Sequence, residues 1–315
     1  MTLDLEAIRS QFPALNEGDD GVARVYLDNP AGTQVPQRVV DAMSHCMLSA
    51  SANLGGYFRT SEIAGGIVAD AQQAMADFLN APSADEIIFG QNMTSLTFHV
   101  SRSIGRYFGE GDEIILSRMD HDANVQPWVL LARDCGLNIR WLPFDTETFE
   151  FDLEKLGELL NERTRLVCVG AASNLTGTVN DVEAICGMAR DAGAWSYIDA
   201  VQSAPHMVND VQAFGCDFLA CSPYKFFGPH QGVLWGRREA LEALEPYKLR
   251  PAPSEIPWSF APGTASHEGM AGTAAAVEYL AWVGETMAGG HGDRRRKLRA
   301  GMAAIAEYEQ GLAEH

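Results

Sequence analysis

Lys225 is the residue whose chemistry most needs explaining. It stands in SPYKFFGPHQGVLWG, residues 222–236, between an apolar run and a glycine-rich turn, and the chain contains only three other lysines. An amine held in an apolar pocket can form a Schiff base with a carbonyl cofactor. Alternatively, a surface lysine lays its methylene stem along apolar residues and keeps its charge in water. Polar residues elsewhere must decide between the two interpretations.

Asp199 is the second candidate, because it ends the apolar run WSYI. An unpaired carboxylate is costly to bury, so this residue needs a cationic partner. A protonated pyridine nitrogen would serve, and the carboxylate would in turn raise the pKa of that nitrogen. Lys225 follows 26 residues later.

A third polar segment, GQNMTS, follows the apolar run EIIF and leads into helical spacing. The first backbone N–H groups of a helix lack partners, and the helix dipole favours an anion there. Met93, through its backbone, and Thr94, through its hydroxyl, could therefore hold a phosphate. The alternative is an ordinary N-cap formed by Asn92 or Thr94.

Two more strand ends carry candidate ligand contacts. His121 could stack on an aromatic ring or lie on the surface, and Asn174 could donate to a ligand oxygen or simply form a turn. The five features together describe one ligand with a phosphate, a protonated aromatic nitrogen, a phenolic oxygen and an aldehyde. That ligand is pyridoxal 5'-phosphate (PLP), for which a lysine paired with an aspartate is a recognised arrangement.

Alternating strands and helices must position these residues. The predicted strands are residues 85–90, 112–117, 137–144, 164–171, 195–200, 217–222 and 232–236. Strand–helix alternation predicts a mostly parallel sheet with helices on both faces. Ligands of such sheets bind outside the carboxyl ends of the strands, where the candidate residues stand.

The remaining segments are predicted to be peripheral. Residues 248–269 are proline-rich and are expected to run over the surface, and residues 292–315 are expected to form a long final helix. The basic run RRRK at 294–297 is interpreted as a solvated helix face rather than a nucleic-acid patch.

Composition narrows the class of protein. Of 315 residues, 46% are hydrophobic and 21% charged, which is typical of a globular protein. The formal charge of −19 disfavours nucleic acid or an anionic membrane as a partner, and no apolar run approaches the ~20 residues that span a bilayer. None of the six cysteines forms a CxxC pair, so no metal is predicted. The N-terminus does not resemble a signal peptide, and a cytoplasmic location is expected.

Six segments, in chain order, carry a resemblance to a known family. They are YLDNPAGTQVP (26–36), MDHDANVQPW (119–128), SNLTGTVND (173–181), IDAVQSAPH (198–206), SPYKFFGPHQGVLWG (222–236) and FAPGT (260–264). The chain resembles the class V aminotransferases among fold-type I PLP enzymes, most closely the cysteine desulfurase and selenocysteine lyase branch. The resemblance implies an α/β fold with a mostly parallel, seven-stranded sheet between helices.

The resemblance also implies roles at matching positions. Lys225 would carry the Schiff base, Asp199 would face the pyridine nitrogen, and His121 would stack on the ring. The other expected cofactor contacts are Asn174 and Gln202 at the phenolic oxygen, and Met93, Thr94, Ser222, Tyr224 and a partner subunit's Thr264 at the phosphate. The expected substrate contacts are Asn29, Ala31 and Arg59, and His206 would support the site from behind the cofactor.

Departures from the family pattern leave the substrate open. The phosphate turn reads Asn92-Met93-Thr94 where the family has G-T-T, and Tyr224 replaces a histidine. Gly55 and Gly56 replace the histidine and arginine of a substrate loop.

The C-terminal part of the pattern is also missing. Family members continue past the final helix into a segment with a persulfide-forming cysteine and a carboxylate-binding arginine, but no cysteine follows Cys221. We therefore expect a fragment with an incomplete small domain, or an enzyme without that nucleophile. Residues 1–30 are predicted to pack with the small domain, 31–285 to form the large PLP-binding domain, and 286–315 to form the linking helix at the start of a truncated C-terminal small domain.

The leading functional prediction is a PLP enzyme of cysteine desulfurase-like type that acts on an amino acid as a homodimer with shared active sites. The alternatives are a transaminase, lyase or epimerase of the same fold, and a non-catalytic partner subunit. Five cysteines are expected to pack in strands and helices, and Cys46 is expected in a helix upstream of the substrate loop, so none of the six is predicted to be the sulfur acceptor.

Overall fold

The computed structural model describes residues 3–314, and its strands form two sheets. A small exposed hairpin is formed by β1 (Gly18–Asp19) and β2 (Val22–Ala23). The large sheet is formed by β3 (Ile87–Gly90), β4 (Glu113–Ser117), β5 (Asn138–Leu142), β6 (Thr164–Gly170), β7 (Trp195–Asp199), β8 (Phe218–Cys221) and β9 (Gly232–Gly236).

The large sheet is mostly parallel. Its strand order is β3-β9-β8-β7-β6-β4-β5, and only β9 runs antiparallel to its neighbours, β3 and β8. All seven predicted strands are thereby confirmed, as is the α/β class. The prediction succeeded because strands covered on both faces appear as continuous apolar runs.

Helices cover both faces of this sheet. They are α1 (Leu5–Arg9), α2 (Gln37–Ser49), α3 (Arg59–Leu79), α4 (Met93–Gly105), α5 (Gln126–Cys135), α6 (Leu153–Leu159), α7 (Val182–Asp191), α8 (Val211–Phe214), α9 (Arg238–Ala243), α10 (His267–Met287) and α11 (Arg294–Ala313). Successive strand residues point to opposite faces. In β6, for example, Val167 belongs to the core cluster that includes residues of α3, α7 and α10, whereas Cys168 belongs to the one that includes residues of α4 and α5.

The segment 248–269 departs from its prediction. It does not simply run over the surface, because Phe260 is buried in the core beside α4 and α5. Helix α10 also begins within it, at His267, where the Ser266 side chain accepts from the Gly269 N–H. The proline content concealed both the apolar anchor and the helix start.

The basic run 294–297 is also not a simple solvated face. Arg294 forms ion pairs with Asp70 and Asp77 of α3, at 2.8 and 3.3 Å. Arg295 donates to the Ala81 carbonyl at 2.8 Å. The run therefore docks α11 against α3. Its Arg294 is paired with acidic residues that are distant in sequence.

The N-terminal residues divide into a packed and an exposed part. Phe12 is buried and meets the Tyr279 ring of α10 edge to face, at 5.4 Å between centroids. By contrast, Val22, Val25 and Leu27 are exposed. The predicted domain boundaries at residues 30 and 285 stay predictions. Between residues 3 and 314, no helix has the length and apolar character needed to cross a membrane.

Candidate active site

A cavity of about 340 Å³ opens at the carboxyl ends of the strands. Its volume is within the range of small-molecule sites. Most of the predicted site residues line it: Ala31, Met93, Thr94, His121, Asn174, Asp199, Gln202, Ser222, Tyr224 and Lys225. The loops after β3, β4, β6, β7 and β8 thus bring together residues that are far apart in sequence, as a parallel sheet requires.

Lys225 ends a 3₁₀ turn, Pro223–Lys225, that follows β8 directly. The residue is only 7% exposed, so the surface alternative is wrong. Its Nζ donates to the Pro30 carbonyl oxygen and lies 4.8 Å from the centroid of the Tyr224 ring. The Tyr224 ring is itself stacked on His230, with 4.9 Å between centroids. The amine is thus held in a defined place on the cavity wall.

Asp199 ends β7 and is 7% exposed. Its Oδ1 accepts the Val201 N–H at 2.9 Å. Burial raises the pKa of this carboxyl to about 6, although that hydrogen bond and the charges of His121 and Lys225 act in the opposite direction. Within the described chain Asp199 enters no ion pair, so a cationic ligand atom would complete its environment.

Asp120 is a second cavity carboxyl, which the sequence interpretation missed. Its Oδ1 accepts the Gly170 N–H at 2.8 Å, and its Oδ2 accepts from Asn124 Nδ2 at 3.2 Å. Burial raises its pKa to about 8, and the charge of Asp199 adds to the shift. The available signal was its position immediately before His121 in the motif MDHDAN.

His121 follows β4 and lines the same cavity. Its Nδ1 accepts the Ala123 N–H at 3.1 Å. The neutral ring therefore carries its proton on Nε2, since one nitrogen of a neutral imidazole donates and the other accepts. This hydrogen bond fixes the ring relative to its own loop.

The start of α4 is the candidate anion-binding end of the cavity. Asn92, not Thr94, is the N-cap, and its Oδ1 accepts the Ser95 N–H at 2.8 Å. The N–H groups of Met93 and Thr94 lie in the first turn, before the helix makes its own hydrogen bonds. A Cβ on Gly232 would stand 2.3 Å from the Asn92 carbonyl carbon, so only glycine allows β9 to approach this turn.

Four predicted residues are not part of the cavity lining. Thr264 lines a separate cavity of about 630 Å³. Arg59 is exposed at the start of α3, with Glu62 at 3.7 Å. Asn29 lies between two lining residues without lining the cavity itself, and His206 Nδ1 meets Glu309 of α11 at 2.7 Å. Their predicted roles stay predictions.

None of the six thiols lines the cavity. Cys46, Cys168, Cys186, Cys216 and Cys221 are buried, while Cys135 in α5 is partly exposed. Burial raises the pKa of the Cys46 thiol and raises that of Cys186 to about 12. Over residues 3–314, no cluster of His, Cys, Asp and Glu side chains has the geometry to hold a metal ion.

The residues present fit PLP. A buried amine, a buried carboxylate without an ion-pair partner in the described chain, an imidazole and the N-terminus of a 13-residue helix surround one cavity. They match the aldehyde, the ring nitrogen, the ring face and the phosphate of that cofactor. The fold and the site thus define the class of fold-type I PLP-dependent enzymes.

Comparison with known proteins identifies the family. The family model for class V aminotransferases matches residues 25–312. The chain belongs to the class V aminotransferase family, which confirms the resemblance seen in the motifs.

Several relatives are named cysteine desulfurases. The chain is 35% identical to a cysteine desulfurase of Yersinia pestis (strain Pestoides F), with 100% of this chain and 77% of that protein covered. It is 38% identical to a probable cysteine desulfurase of Streptomyces coelicolor, over 90% of this chain and 72% of that protein. Both alignments extend over most of the chain.

Solved structures agree with this placement. The apo cysteine desulfurase of Thermococcus onnurineus NA1 superimposes with a TM-score of 0.85 at 29% identity, covering 100% of this chain and 75% of that one. The cysteine desulfurase CsdA of Escherichia coli gives a TM-score of 0.80 at 30% identity, with coverage of 94% and 74%.

Proposed function

We propose that this protein is a PLP-dependent enzyme of cysteine desulfurase-like type that acts on a small amino acid. The observation that carries the proposal is the presence, in one cavity, of a buried lysine and a buried aspartate that forms no ion pair within residues 3–314. A non-catalytic partner subunit would have no use for this pair, because both residues are costly to bury without a ligand.

Each cavity residue has a task in this proposal. Asp199 would hold the positive charge of the ring nitrogen, and His121 would stack on the ring. The phosphate would be bound by the first turn of α4 together with Ser222 and Tyr224. Asn174 and Gln202 would donate to the phenolic oxygen. When bound, PLP supplies an electron sink for negative charge that develops at the substrate Cα.

Lys225 would move the proton in the reaction. Once the substrate amine is bound, Nζ of Lys225 would take the Cα proton as a general base and return it to the atom that the reaction requires. The Pro30 carbonyl and the Tyr224 ring keep this amine on the cavity wall. Positioning of this kind is what a general base needs in order to act.

Borohydride trapping tests the central assignment. The PLP-loaded protein is reduced, digested and mapped, and we expect the label on Lys225. The variant Lys225→Arg should stay unlabelled, whereas the matched control Lys155→Arg, an exposed position, should label normally. A label on Lys155, Lys248 or Lys297 in the native chain would overturn the proposal.

The positions of the cysteines favour a second candidate reaction, in which no protein thiol accepts sulfur from the substrate. A sulfur-accepting thiolate must be accessible and close to the substrate sulfur, and no thiol of this chain lines the cavity. The chain of 315 residues is therefore expected to bind PLP without releasing sulfide from cysteine at an enzymatic rate. A lyase, transaminase or epimerase reaction needs no such thiol.

The reaction can be assigned from half-reactions. Cofactor spectra are followed with cysteine, alanine and other amino acids, while sulfide is assayed in parallel. Spectral change without sulfide supports the thiol-free alternatives. Sulfide release that disappears in a single Cys→Ala variant supports a desulfurase with that cysteine as acceptor, and release that survives all six variants supports a lyase.

A homodimer with shared active sites is part of the proposal. Thr264, which the family pattern assigns to a partner's phosphate, does not line the cavity of its own chain, and it shares another cavity with Met47. Leu48, Tyr57 and Phe58, which follow Met47 in the sequence, are 88%, 103% and 54% exposed. Large apolar side chains that are exposed on a protein surface can mark an interface.

Light scattering of the PLP-loaded protein tests the dimer. Leu48→Glu should shift the mass to that of a monomer and weaken cofactor binding, because the partner's phosphate contact is lost. Leu312→Glu, at an exposed leucine of α11, is the matched control and should stay dimeric. A native monomer that binds PLP tightly would contradict the proposal.

The six free thiols agree with a reducing compartment, and we propose the cytoplasm.

A further inference from the structure

The turn at residues 28–33 contacts the 3₁₀ turn Pro223–Lys225, called here the lysine turn, although the two are far apart in sequence. Thr33 donates its N–H and its hydroxyl to the Tyr224 carbonyl oxygen, both at 3.1 Å. The Pro30 carbonyl of the same turn accepts from Lys225 Nζ and, at 2.9 Å, from Gln202 Nε2. One short turn therefore contacts both the backbone next to Lys225 and its amine.

Phe227, two residues after Lys225, has an unusual backbone conformation. Its φ is +70°, in the left-handed region that bulky side chains avoid. Such a conformation is maintained only where its surroundings over-determine it. Here the ring packs on Phe12 and Tyr279, with centroids at 5.3 and 5.4 Å, and the Phe227 N–H donates to Thr33 Oγ1 at 2.9 Å.

The hydroxyl of Thr33 thus bridges both sides of the lysine. As a donor it holds the Tyr224 carbonyl before Lys225, and as an acceptor it holds the Phe227 N–H after it. A hydroxyl can do both at once, whereas a methyl group of the same size can do neither. Without it, the Phe227 N–H loses its partner in a backbone that is already strained.

We propose that Thr33 is a positioning residue for Lys225, and that its hydroxyl fixes the lysine turn in the geometry from which Nζ reaches the reacting carbon. This inference rests on the proposed function, in which Lys225 is the base. The residue does not line the cavity and therefore acts through the turn that it holds. A displacement of about 1 Å at such a base can slow turnover by about a hundredfold.

Three substitutions isolate the hydroxyl. Thr33→Val keeps the shape and removes both hydrogen bonds, Thr33→Ala removes them without added bulk, and Thr33→Ser restores them. Thr164→Val is the matched control. Its buried hydroxyl also accepts one backbone N–H, from Asn161 at 3.0 Å, but it stands at the opposite end of β6 from the cavity.

The first measurement is amide hydrogen exchange on the cofactor-free protein. Thr33→Val and Thr33→Ala should accelerate exchange of the Phe227 amide by about tenfold or more, because that N–H loses its acceptor. Thr33→Ser should match the native protein, and Thr164→Val should accelerate exchange only around Asn161. Unchanged exchange at Phe227 in both hydroxyl-free variants would show that the Thr33 hydroxyl does not hold the lysine turn, which would overturn the proposal.

The second measurement uses the PLP-loaded protein. We expect kcat to fall about ten- to a hundredfold in Thr33→Val, with KM within about twofold, and the pH midpoint of the cofactor absorbance change to shift. Thr33→Ser should recover both. Native kcat and pH midpoint despite faster exchange would refute the positioning role, whereas failure of borohydride to label Lys225 in the native protein would refute the proposed function instead.

Discussion

Two buried aspartates stand at opposite ends of the same sheet and differ in how they are satisfied. Asp199 ends β7 and is 7% exposed, while Asp217 directly precedes β8 and is 8% exposed. Asp217 accepts from the Ser196 N–H and hydroxyl, at 2.8 and 3.2 Å, and from Arg237 Nε and Nη2, at 3.0 and 2.7 Å. The Asp199 carboxylate, by comparison, accepts the Val201 N–H through Oδ1.

This difference separates a carboxylate that the fold itself satisfies from one that we propose to be functional. Around Asp217 the protein supplies the counter-charge and the donors itself, so the environment is complete. Around Asp199 it supplies burial and the more distant charges of His121 and Lys225 but, among the described residues, no ion pair, and burial still destabilises the charged form unless a ligand provides a cation. Sites where a fold leaves such a group incomplete are the places where function is expected.

The largest expected effect comes from Asp199→Asn, which keeps the shape and removes the charge. Turnover should fall by about a hundred- to a thousandfold, since a preorganised charge at the reacting system is lost. The stability of the cofactor-free protein should stay the same or rise. Steady-state kinetics and urea unfolding measure the two effects, and near-native turnover would show that Asp199 is not the ring-nitrogen partner.

The matched change Asp217→Asn should give the opposite result. We expect the free energy of unfolding to drop by about 2–4 kcal/mol, because a buried charge-assisted network is broken. Turnover per folded molecule should remain native. Urea unfolding with active-site titration checks this prediction, and a loss of turnover without loss of stability would erase the distinction between the two carboxylates.

The pH dependence of stability sharpens the comparison further. A carboxyl whose pKa is raised in the folded protein stabilises the fold fully below its ordinary pKa of 3.8 and loses this contribution as the pH passes the folded value, about 6 for Asp199 and about 8 for Asp120. The cofactor-free protein should therefore lose stability as the pH rises from 4 to 8.

Asp120→Asn isolates the upper part of this range. Between pH 6 and 8 the native protein should lose about 1–3 kcal/mol relative to this variant, whose amide does not titrate. Urea unfolding at a series of pH values provides the measurement. Parallel curves for the two proteins would contradict the raised pKa of Asp120.

The smallest expected effect concerns Ser196→Ala, which removes one of the donors to Asp217 but leaves the backbone donor and Arg237 in place. Stability should fall by about 1 kcal/mol, and turnover should not change. Thermal unfolding checks the first expectation. A drop as large as that of Asp217→Asn would mean that the hydroxyl, rather than the arginine, satisfies the carboxylate.

The sheet and much of the cavity could be predicted from the sequence, for a local reason. Each strand is a short apolar run, and polar residues stand at or shortly after the ends of several of them, so Asp199 and Lys225 are visible without knowledge of the fold. Parallel topology then brings strand ends together by rule. Asn92 was one of two possible caps, and the structure settled the choice.

The features that the sequence did not reveal depend on partners that are far away in sequence. Phe260 is buried by α4 and α5, and Arg294 is neutralised by α3 and α10, so neither local pattern contained the answer. Asp120 becomes notable only when β6 and β7 place Gly170 and Asp199 beside it. Thr33 becomes notable only when the first residues of the chain meet the lysine turn.

The contact between Thr33 and the lysine turn has a consequence for folding during synthesis. The hydrogen bond between Thr33 and Tyr224 joins residues 191 positions apart. Contacts of such sequence separation form late, because the intervening loop must first be closed. During synthesis residues 28–33 leave the ribosome long before the lysine turn does, so their hydrogen bonds with it form only after 191 further residues have been made. A cofactor held by Lys225 is therefore expected to be captured only after the lysine turn has left the ribosome.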